Sequence, residues 1–252
     1  MQPVLRLRAQ NTFAFRSGTG PESEYFMKFK DKVVLITGAG RGHGREIAKA
    51  FAAEGARMAL NDISPLNLNL LIEEIQAEGG EAKIYVQDIA KKVPVQGLVM
   101  HVEDDFGKID ILINHSAVEP KKSLLEIDEW DWQRTIMVNL SAAFLITQSV
   151  GRIMKKNGGG VIVNLIPLAG RDGLKDRTAY VASMMGLIGF TRQAAGELAP
   201  DNIRVHAVCS GIPEMQQAQR DFPSSFNKAV LYLCGDKAVD LYGEILNVEE
   251  KI

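Results

Sequence analysis

A single phenol stands near the start of a helical stretch at residues 178–190, which reads T-A-Y-V-A-S-M-M-G-L-I-G-F. Residues four positions apart share one face of a helix, so the side chain beside the Tyr180 phenol is that of Met184. A phenol can exchange a proton with a substrate oxygen, but its ordinary pKa of about 10 makes it a poor base without a neighbouring cation. Two interpretations follow: Tyr180 is a proton donor, or it is a buried tyrosine held by a hydrogen bond.

A glycine-rich turn, T-G-A-G-R-G-H-G at residues 37–44, follows a short apolar run and precedes a helical pattern. Glycine lets the backbone approach a pyrophosphate closely, and the N–H groups at a helix N-terminus attract its negative charge. The alternative is an ordinary turn between a strand and a helix. We predict that this turn binds a dinucleotide through Gly38, Arg41, Gly42, His43 and Gly44.

An acid, Asp62, ends the next apolar run and lies eighteen residues beyond Gly44. A carboxylate at the end of the second strand can accept hydrogen bonds from both ribose hydroxyls, and it would repel a 2′-phosphate. The acid therefore favours NAD(H) as the cofactor. Arg41 keeps NADP(H) open as an alternative, because a guanidinium in the glycine turn could hold a phosphate.

These groups need a scaffold, and the hydrophobic pattern predicts one in which strands and helices alternate. Strands are predicted at 32–37, 57–61, 83–87, 109–114, 161–166, 203–208 and 243–248. Helices are predicted at 45–55, 66–78, 93–106, 128–156, 180–198 and 225–235. The alternation predicts an α/β fold: a single-domain, Rossmann-type, doubly wound parallel sheet of about seven strands flanked by helices.

Composition narrows the classes of function. The chain has 252 residues, a formal net charge of −2 and mixed acids and bases, so we expect no nucleic-acid surface. We expect no membrane span and no metal site. The two cysteines, Cys209 and Cys234, show neither metal nor disulfide spacing, which favours a reduced, cytoplasmic location.

The chain divides into a short N-terminal extension, residues 1–26, and a dinucleotide-binding domain, residues 27–252. The extension carries three arginines and no acid before Glu22, and it lacks the continuous apolar core of a secretory signal. We expect it to be flexible. A transit peptide, or translation starting at Met27, is the alternative.

Taken together, the motifs resemble the short-chain dehydrogenase/reductase family, in particular its 3-oxoacyl-acyl-carrier-protein reductase type. Beyond the glycine turn and Asp62, the likeness rests on V-Q-D-I (86–89), M-V-N-L (137–140), A-Y-x-A-S-x-x-G-L-x-G-F-T-R (179–192) and E-L-A-P-x-N-I-R-V (197–205). The resemblance implies that Asp88 contacts adenine, with Ile89 beside it. It also implies that Asn114 lies beside the cofactor and that Asn139 holds a water in a proton relay.

The resemblance further implies carbonyl chemistry in which a tyrosine exchanges the proton. A lysine four residues later lowers the pKa of that tyrosine, and a serine thirteen residues before it binds the carbonyl oxygen. This sequence keeps Tyr180 but has Met184 at the lysine position and Pro167 at the serine position. We therefore expect an NAD(H)-binding oxidoreductase for a small carbonyl or secondary alcohol with an atypical active site. The alternative is a catalytically silent NAD-binding pseudoenzyme that acts as a sensor or partner subunit.

Two further expectations follow. His115 lies in the turn after the fourth predicted strand and could replace the missing acid or base, since imidazole titrates near neutral pH; a solvated turn residue is the alternative. The resemblance also implies a homo-oligomer, a dimer or a tetramer, formed through the long helices and the last strand. A scaffold that has lost cofactor binding is the third functional alternative.

Overall fold

The structure is a computed structural model that describes residues 27–167, 174–210 and 224–248; the predicted extension, residues 1–26, lies outside these ranges. The described strands are β1 Val33–Thr37, β2 Arg57–Asp62, β3 Glu81–Val86, β4 Ile111–Asn114, β5 Gly160–Ile166, β6 Ile203–Ser210 and β7 Ile245–Val248. They pair in parallel in the order β3-β2-β1-β4-β5-β6-β7. The predicted doubly wound parallel sheet is confirmed.

Helices cover both faces of the sheet. The described α-helices are α1 Gly42–Ala53, α2 Pro65–Ala77, α3 Lys92–Phe106, α4 Glu129–Ile136, α5 Ala142–Lys156, α6 Thr178–Leu198 and α7 Ser224–Cys234. The sequence predicts one helix over 128–156, and the structure inserts a π-helical turn, Met137–Ser141, between α4 and α5. Such turns often occur at functional sites because they redirect side chains.

Element boundaries differ from the prediction mainly at the glycine turn. Helix α1 begins at Gly42, three residues before the predicted start at residue 45, because the last two glycines already belong to its first turn. Strand β4 begins at Ile111 rather than residue 109, and β6 continues to Ser210.

The core explains why the central strands are apolar throughout. All five residues of β1 are buried, because helices pack on both faces of a parallel sheet. Val34 and Ile36 pack on the face that holds Phe51 of α1, whereas Leu35 packs on the face that holds Val102 of α3. The end of β1 is thus fixed between two packed layers. The turn that follows it therefore starts from a rigid position.

One described helix, Glu129–Lys156, is long and apolar enough to cross a membrane by length and composition alone. Core helices of soluble proteins pass the same test. Ile146, Val150 and Met154 of this helix are buried in the core cluster that also contains Leu35. Packing against the sheet therefore accounts for the buried part of its apolar surface.

Candidate functional site

The glycine turn is a tight connection that favours glycine at several of its positions. Gly38 and Gly42 have positive φ angles of 66° and 57°, in the left-handed region that favours glycine. A Cβ atom on Gly38 would lie 3.0 Å from the Cα of Ser116, and one on Gly44 would lie 2.6 Å from the carbonyl oxygen of Gly38. The turn thus forms a cradle of backbone atoms at the N-terminus of α1.

The two side chains within the turn face different surroundings. Arg41 is exposed at the N-cap of α1, and its side chain makes no capping hydrogen bond. His43 is fully buried, with its ring stacked on that of Phe226 in α7 at a centroid distance of 4.1 Å. No side chain at the N-cap satisfies the first N–H groups of α1, so these groups could attract an anion. His43 would contribute its backbone N–H there rather than its ring.

Asp62 joins the end of β2 to the glycine turn. Its Oδ2 atom accepts a hydrogen bond from the Gly40 N–H at 3.1 Å, and its Oδ1 atom accepts one from the Ile63 N–H at 2.7 Å. The structure therefore brings together the two features that the sequence assigns to the nucleotide, the glycine turn and the acid at the end of the second strand.

Asp88 and Ile89 follow β3 at the same edge of the sheet. Asp88 accepts a hydrogen bond from the Ala90 N–H at 3.1 Å, and its carboxylate pairs with Lys91 at 3.2 Å. Ile89 is buried in the core cluster that contains Tyr85. Ile89 therefore supplies an apolar wall, and Asp88 supplies a polar group next to it.

A chain of buried amides crosses the sheet beneath this edge. Asn114, at the end of β4, donates to Asn164 Oδ1 at 2.8 Å, and Asn164 in β5 donates to Thr191 Oγ1 at 2.8 Å. The Oδ1 atom of Asn114 is buried and has no hydrogen-bond partner among the described residues. An unpaired buried acceptor costs about 1–3 kcal/mol, so this atom favours a donor from a water or a ligand.

His115 supports the glycine turn. Its Nδ1 atom lies 2.9 Å from the carbonyl oxygen of Gly38, and its backbone N–H donates to Thr37 Oγ1 at 3.1 Å. Since a carbonyl oxygen only accepts, Nδ1 carries the proton in this contact. The imidazole thus ties the end of β4 to the turn after β1, and this contact gives His115 a positioning role.

Asn139 lies in the π-helical turn and clamps the loop after β4. Its Oδ1 atom accepts from the Val118 N–H at 2.8 Å, and its Nδ2 atom donates to the Val118 carbonyl and to Ser183 Oγ, each at 3.0 Å. Both the oxygen and the nitrogen of this side-chain amide are therefore hydrogen-bonded to the protein. It holds α6 and the loop after β4 together.

Tyr180 is 1% exposed, and its hydroxyl donates to the carbonyl oxygen of Pro167 at 2.7 Å. Met184, one turn further along α6, is also 1% exposed and belongs with Tyr180, Ile166 and Cys209 to one apolar cluster. Burial raises the pKa of the Cys209 thiol to about 12, so this thiol stays protonated and is a poor nucleophile. The phenol thus belongs to an apolar cluster, and its hydroxyl proton is directed at the main chain.

Some contacts at the site were not predicted from the sequence. Arg177 forms an ion pair with Glu119, and both side chains are largely buried; next to them the Lys122 N–H donates to the Asp176 carbonyl. These contacts join the loop after β4 to the start of α6. Charged loop residues carry no signal of their partners in the sequence. Asn164 was not predicted either, although a polar residue inside an apolar strand is a signal that could have indicated it.

Comparison with known proteins identifies the family. Residues 32–223 match the family model described as short chain dehydrogenase. The chain belongs to the short-chain dehydrogenase family. The resemblance predicted from its motifs is confirmed.

Several relatives align with nearly the whole domain. An uncharacterized oxidoreductase of Thermotoga maritima is 34% identical over 247 residues, covering 88% of this chain and 98% of the relative. The 3-oxoacyl-acyl-carrier-protein reductase of the same organism is 32% identical over 241 residues, covering 88% and 98%. A solved 7α-hydroxysteroid dehydrogenase, complexed with NADH and 7-oxo glycochenodeoxycholic acid, matches with a TM-score of 0.81 at 30% identity, covering 90% of this chain and 96% of that chain.

Two features of the described residues fit a nicotinamide dinucleotide. A dinucleotide lies across the carboxyl ends of a doubly wound sheet, where the strand order reverses, here between β1 and β4. The glycine cradle and Asp62 fit the pyrophosphate and the adenosine ribose. On the other side of β1, the carboxyl ends of β4 and β5 meet α6 around a cavity of only about 10 Å³.

Proposed function

We propose that this short-chain dehydrogenase relative binds NAD(H) and that its carbonyl–alcohol oxidoreductase activity is residual or absent. The observation that carries the proposal is the buried hydrogen bond from Tyr180 to the Pro167 carbonyl, in an apolar cluster with Met184. The chain keeps the nucleotide cradle of its family and replaces the groups that would move a substrate proton. It therefore fits a dinucleotide-binding pseudoenzyme better than an efficient dehydrogenase.

The chemical reason lies in the side chains that stand at residues 184 and 167. An ammonium beside a phenol stabilises the phenolate, whereas the Met184 thioether carries no charge and donates no hydrogen bond. Pro167 has neither a hydroxyl nor an N–H group with which to hold a carbonyl oxygen. Positioned acid–base groups contribute about 10²–10⁴-fold to enzymatic rates, and a reaction at this site would lack most of that factor.

The cofactor preference rests on Asp62. The Gly40 N–H donates to its carboxylate and holds it against the glycine turn. From there the carboxylate could accept a hydrogen bond from a ribose hydroxyl. A 2′-phosphate there would meet a negative charge. The exposed Arg41 favours NADP(H), because its guanidinium could hold the 2′-phosphate. A single exposed cation, however, offsets little of the repulsion between that phosphate and the nearby Asp62 carboxylate.

The decisive experiment is an NADH and NADPH titration followed by fluorescence, with a panel of ketones, aldehydes and secondary alcohols added in the same samples. We expect NADH to bind, NADPH to bind more weakly, and turnover to be near background. Met184→Lys combined with Pro167→Ser is expected to raise turnover by about tenfold or more, because it restores a cation and a hydroxyl.

The matched control is Met184→Leu combined with Pro167→Ser, which keeps the new hydroxyl and leaves an uncharged, apolar side chain at residue 184. Rapid turnover by the unmodified chain would overturn the proposal and support the oxidoreductase alternative with another proton path. Absence of binding by any nucleotide would leave the scaffold alternative.

We also propose a homo-oligomer in the cytoplasm. Bulky apolar side chains remain on the outer face of the α4–α6 helices in the single chain, among them Met137, Phe144 and Met185, each 45–54% exposed. Phe144 contacts Phe190 edge to face at 6.4 Å, so the exposed patch spans two helices.

Light scattering is expected to give a mass of two or four chains, and Phe144→Glu is expected to lower it. A monomeric mass for the unmodified chain would contradict this.

A further inference from the structure

An asparagine next to Asp62 holds the end of the neighbouring strand. Asn61 is 1% exposed in β2, and its Nδ2 atom donates to the Tyr85 carbonyl at 2.9 Å and to the Gln87 carbonyl at 3.2 Å. Tyr85 belongs to β3, which lies at the edge of the described sheet, and Gln87 follows directly after this strand. One buried amide nitrogen therefore ties β2 to the main chain at the end of the edge strand.

This contact continues the sheet past the point where the backbone pairing of β2 with β3 ends. The parallel pairing reaches Asp62, and the Gln87 N–H still donates to the Asp62 carbonyl at 3.2 Å. The next N–H groups after β2, those of Ile63 and Ser64, donate to Asp62 Oδ1 instead. The Gln87 carbonyl therefore takes its hydrogen bond from the Asn61 side chain, where a longer β2 would have supplied a backbone N–H.

Gln87 leads directly into Asp88 and Ile89. In the binding mode proposed above, the pyrophosphate lies at the turn after β1 and the ribose at the end of β2. The base then continues to the end of β3, because the strand order is β3-β2-β1. Ile89 is 7% exposed there, and the Asp88 side chain is 33% exposed. The carboxylate contacts the Ala90 N–H and Lys91, and its oxygens have further lone pairs for an amino group of the base.

We propose that Asn61 is a positioning residue for the base of the bound dinucleotide. By holding the Gln87 carbonyl it fixes the Asp88 carboxylate, and it thereby sets how strongly adenine is preferred over a base that lacks the amino group. This inference rests on the proposed NAD(H) binding and deepens it. Asn61 acts through the main chain of β3, because its side chain is buried and its Nδ2 atom already donates to two carbonyls.

The test is a fluorescence titration of the full chain with NADH and with reduced nicotinamide hypoxanthine dinucleotide, which carries an oxygen in place of the adenine amino group. We expect the unmodified chain to bind NADH about tenfold more tightly, because a carboxylate attracts the amino group and repels the oxygen. In Asn61→Leu, which has a similar volume and no donor, the ratio of the two dissociation constants should fall to about threefold or less. Asn61→Ser is the second variant, since its single hydroxyl proton can serve only one carbonyl.

Tyr85→Phe is the matched control for a general loosening of β3. It removes the hydrogen bond from the Tyr85 hydroxyl to Asp105 at 2.7 Å and keeps both carbonyl contacts of Asn61, so the ratio should stay unchanged. Asp88→Ala should bring the ratio close to one, and adding Asn61→Leu should then change it no further, because the two residues act as a unit.

The possible outcomes separate this inference from the proposed function. An unchanged ratio in Asn61→Leu and Asn61→Ser would overturn the role of Asn61, and so would equal binding of the two dinucleotides by the unmodified chain. Both results would leave the proposed NAD(H) binding intact. Failure of both dinucleotides to bind the unmodified chain would overturn the proposed function and this inference with it.

Discussion

Gly44→Ala is expected to weaken NADH binding by about 100-fold or more, which corresponds to ~2.7 kcal/mol. The new Cβ would lie 2.6 Å from the Gly38 carbonyl oxygen and 2.6 Å from His115 Nδ1. Neither neighbour can easily move. The Gly38 oxygen belongs to the main chain, and His115 Nδ1 is hydrogen-bonded to that oxygen at 2.9 Å. Helix α1 must therefore shift away from the turn, and its N–H groups lose their alignment with a pyrophosphate.

The measurement is an NADH fluorescence titration paired with thermal unfolding. We expect the variant to fold with a stability loss of about 1–3 kcal/mol, the usual cost of overpacking. Gly151→Ala is the control, because Gly151 lies within α5 and an added Cβ there would meet nothing within 4 Å. That control should keep its NADH affinity and gain a little stability, since alanine is favoured over glycine inside a helix. Equal NADH affinity in the two variants would show that the pyrophosphate does not lie on this turn.

The fold follows from local patterns that are strong enough to be decisive. A strand buried on both faces must be apolar throughout, and V-V-L-I-T of β1 and V-I-V-N-L-I of β5 satisfy that requirement with almost no competing pattern. The pairing of the glycine turn with Asp62 was predictable for a related reason. The carboxyl ends of neighbouring parallel strands meet at one edge, and the Gly40–Asp62 hydrogen bond of 3.1 Å joins them there.

The direction of individual side chains was less predictable, because it depends on residues far along the chain. His43 belongs to the turn by sequence, yet its ring stacks on Phe226, which the local pattern cannot indicate. The interior position of Asn164 was visible as a polar interruption, but its partners Asn114 and Thr191 come from other elements. The spacing placed Met184 beside Tyr180, whereas the narrow cavity results from the packing of α6 on the end of β5.

These differences follow one division in the molecule. Residues at the adenosine side are specified by backbone conformation, which glycine and strand order control locally. Residues at the opposite side are specified by side-chain packing, which is a long-range property. The sequence therefore predicts nucleotide binding more securely than it predicts turnover, and the proposed experiments separate the two.

The free energy of unfolding is expected to fall steeply as the pH drops below about 6.5, and His206 is the expected cause. This histidine is fully buried in β6, and burial, followed by the nearby Arg204 cation, lowers its pKa to about 3. Its Nδ1 atom accepts a hydrogen bond from the Glu244 N–H at 3.3 Å, and its Nε2 atom has no partner among the described residues. A second proton would sit on Nδ1, facing that N–H group.

The sign follows from proton linkage. The pKa of His206 in the folded state lies below the ordinary value of an unfolded chain, so between pH 6.5 and 3 the unfolded state binds the proton and the folded state does not. The contribution of neutral His206 to the free energy of unfolding is fully present above pH 6.5. It decreases by up to about 1.4 kcal/mol for each pH unit below that value. At pH 5 the loss is about 2 kcal/mol, a substantial part of the 5–15 kcal/mol that is typical of a folded domain.

Urea unfolding at several values between pH 7.5 and 5 measures this slope. His206→Gln keeps a polar, hydrogen-bonding side chain but cannot gain a proton, so its stability should be lower at pH 7.5 and change less with pH. His101→Gln is the matched control, because His101 is exposed on α3 and its removal should leave the slope unchanged. A slope in His206→Gln as steep as in the unmodified chain would assign the acid sensitivity to other groups. A shallower slope would show that burial of the neutral His206 imidazole in β6 lowers the stability of the domain in acid.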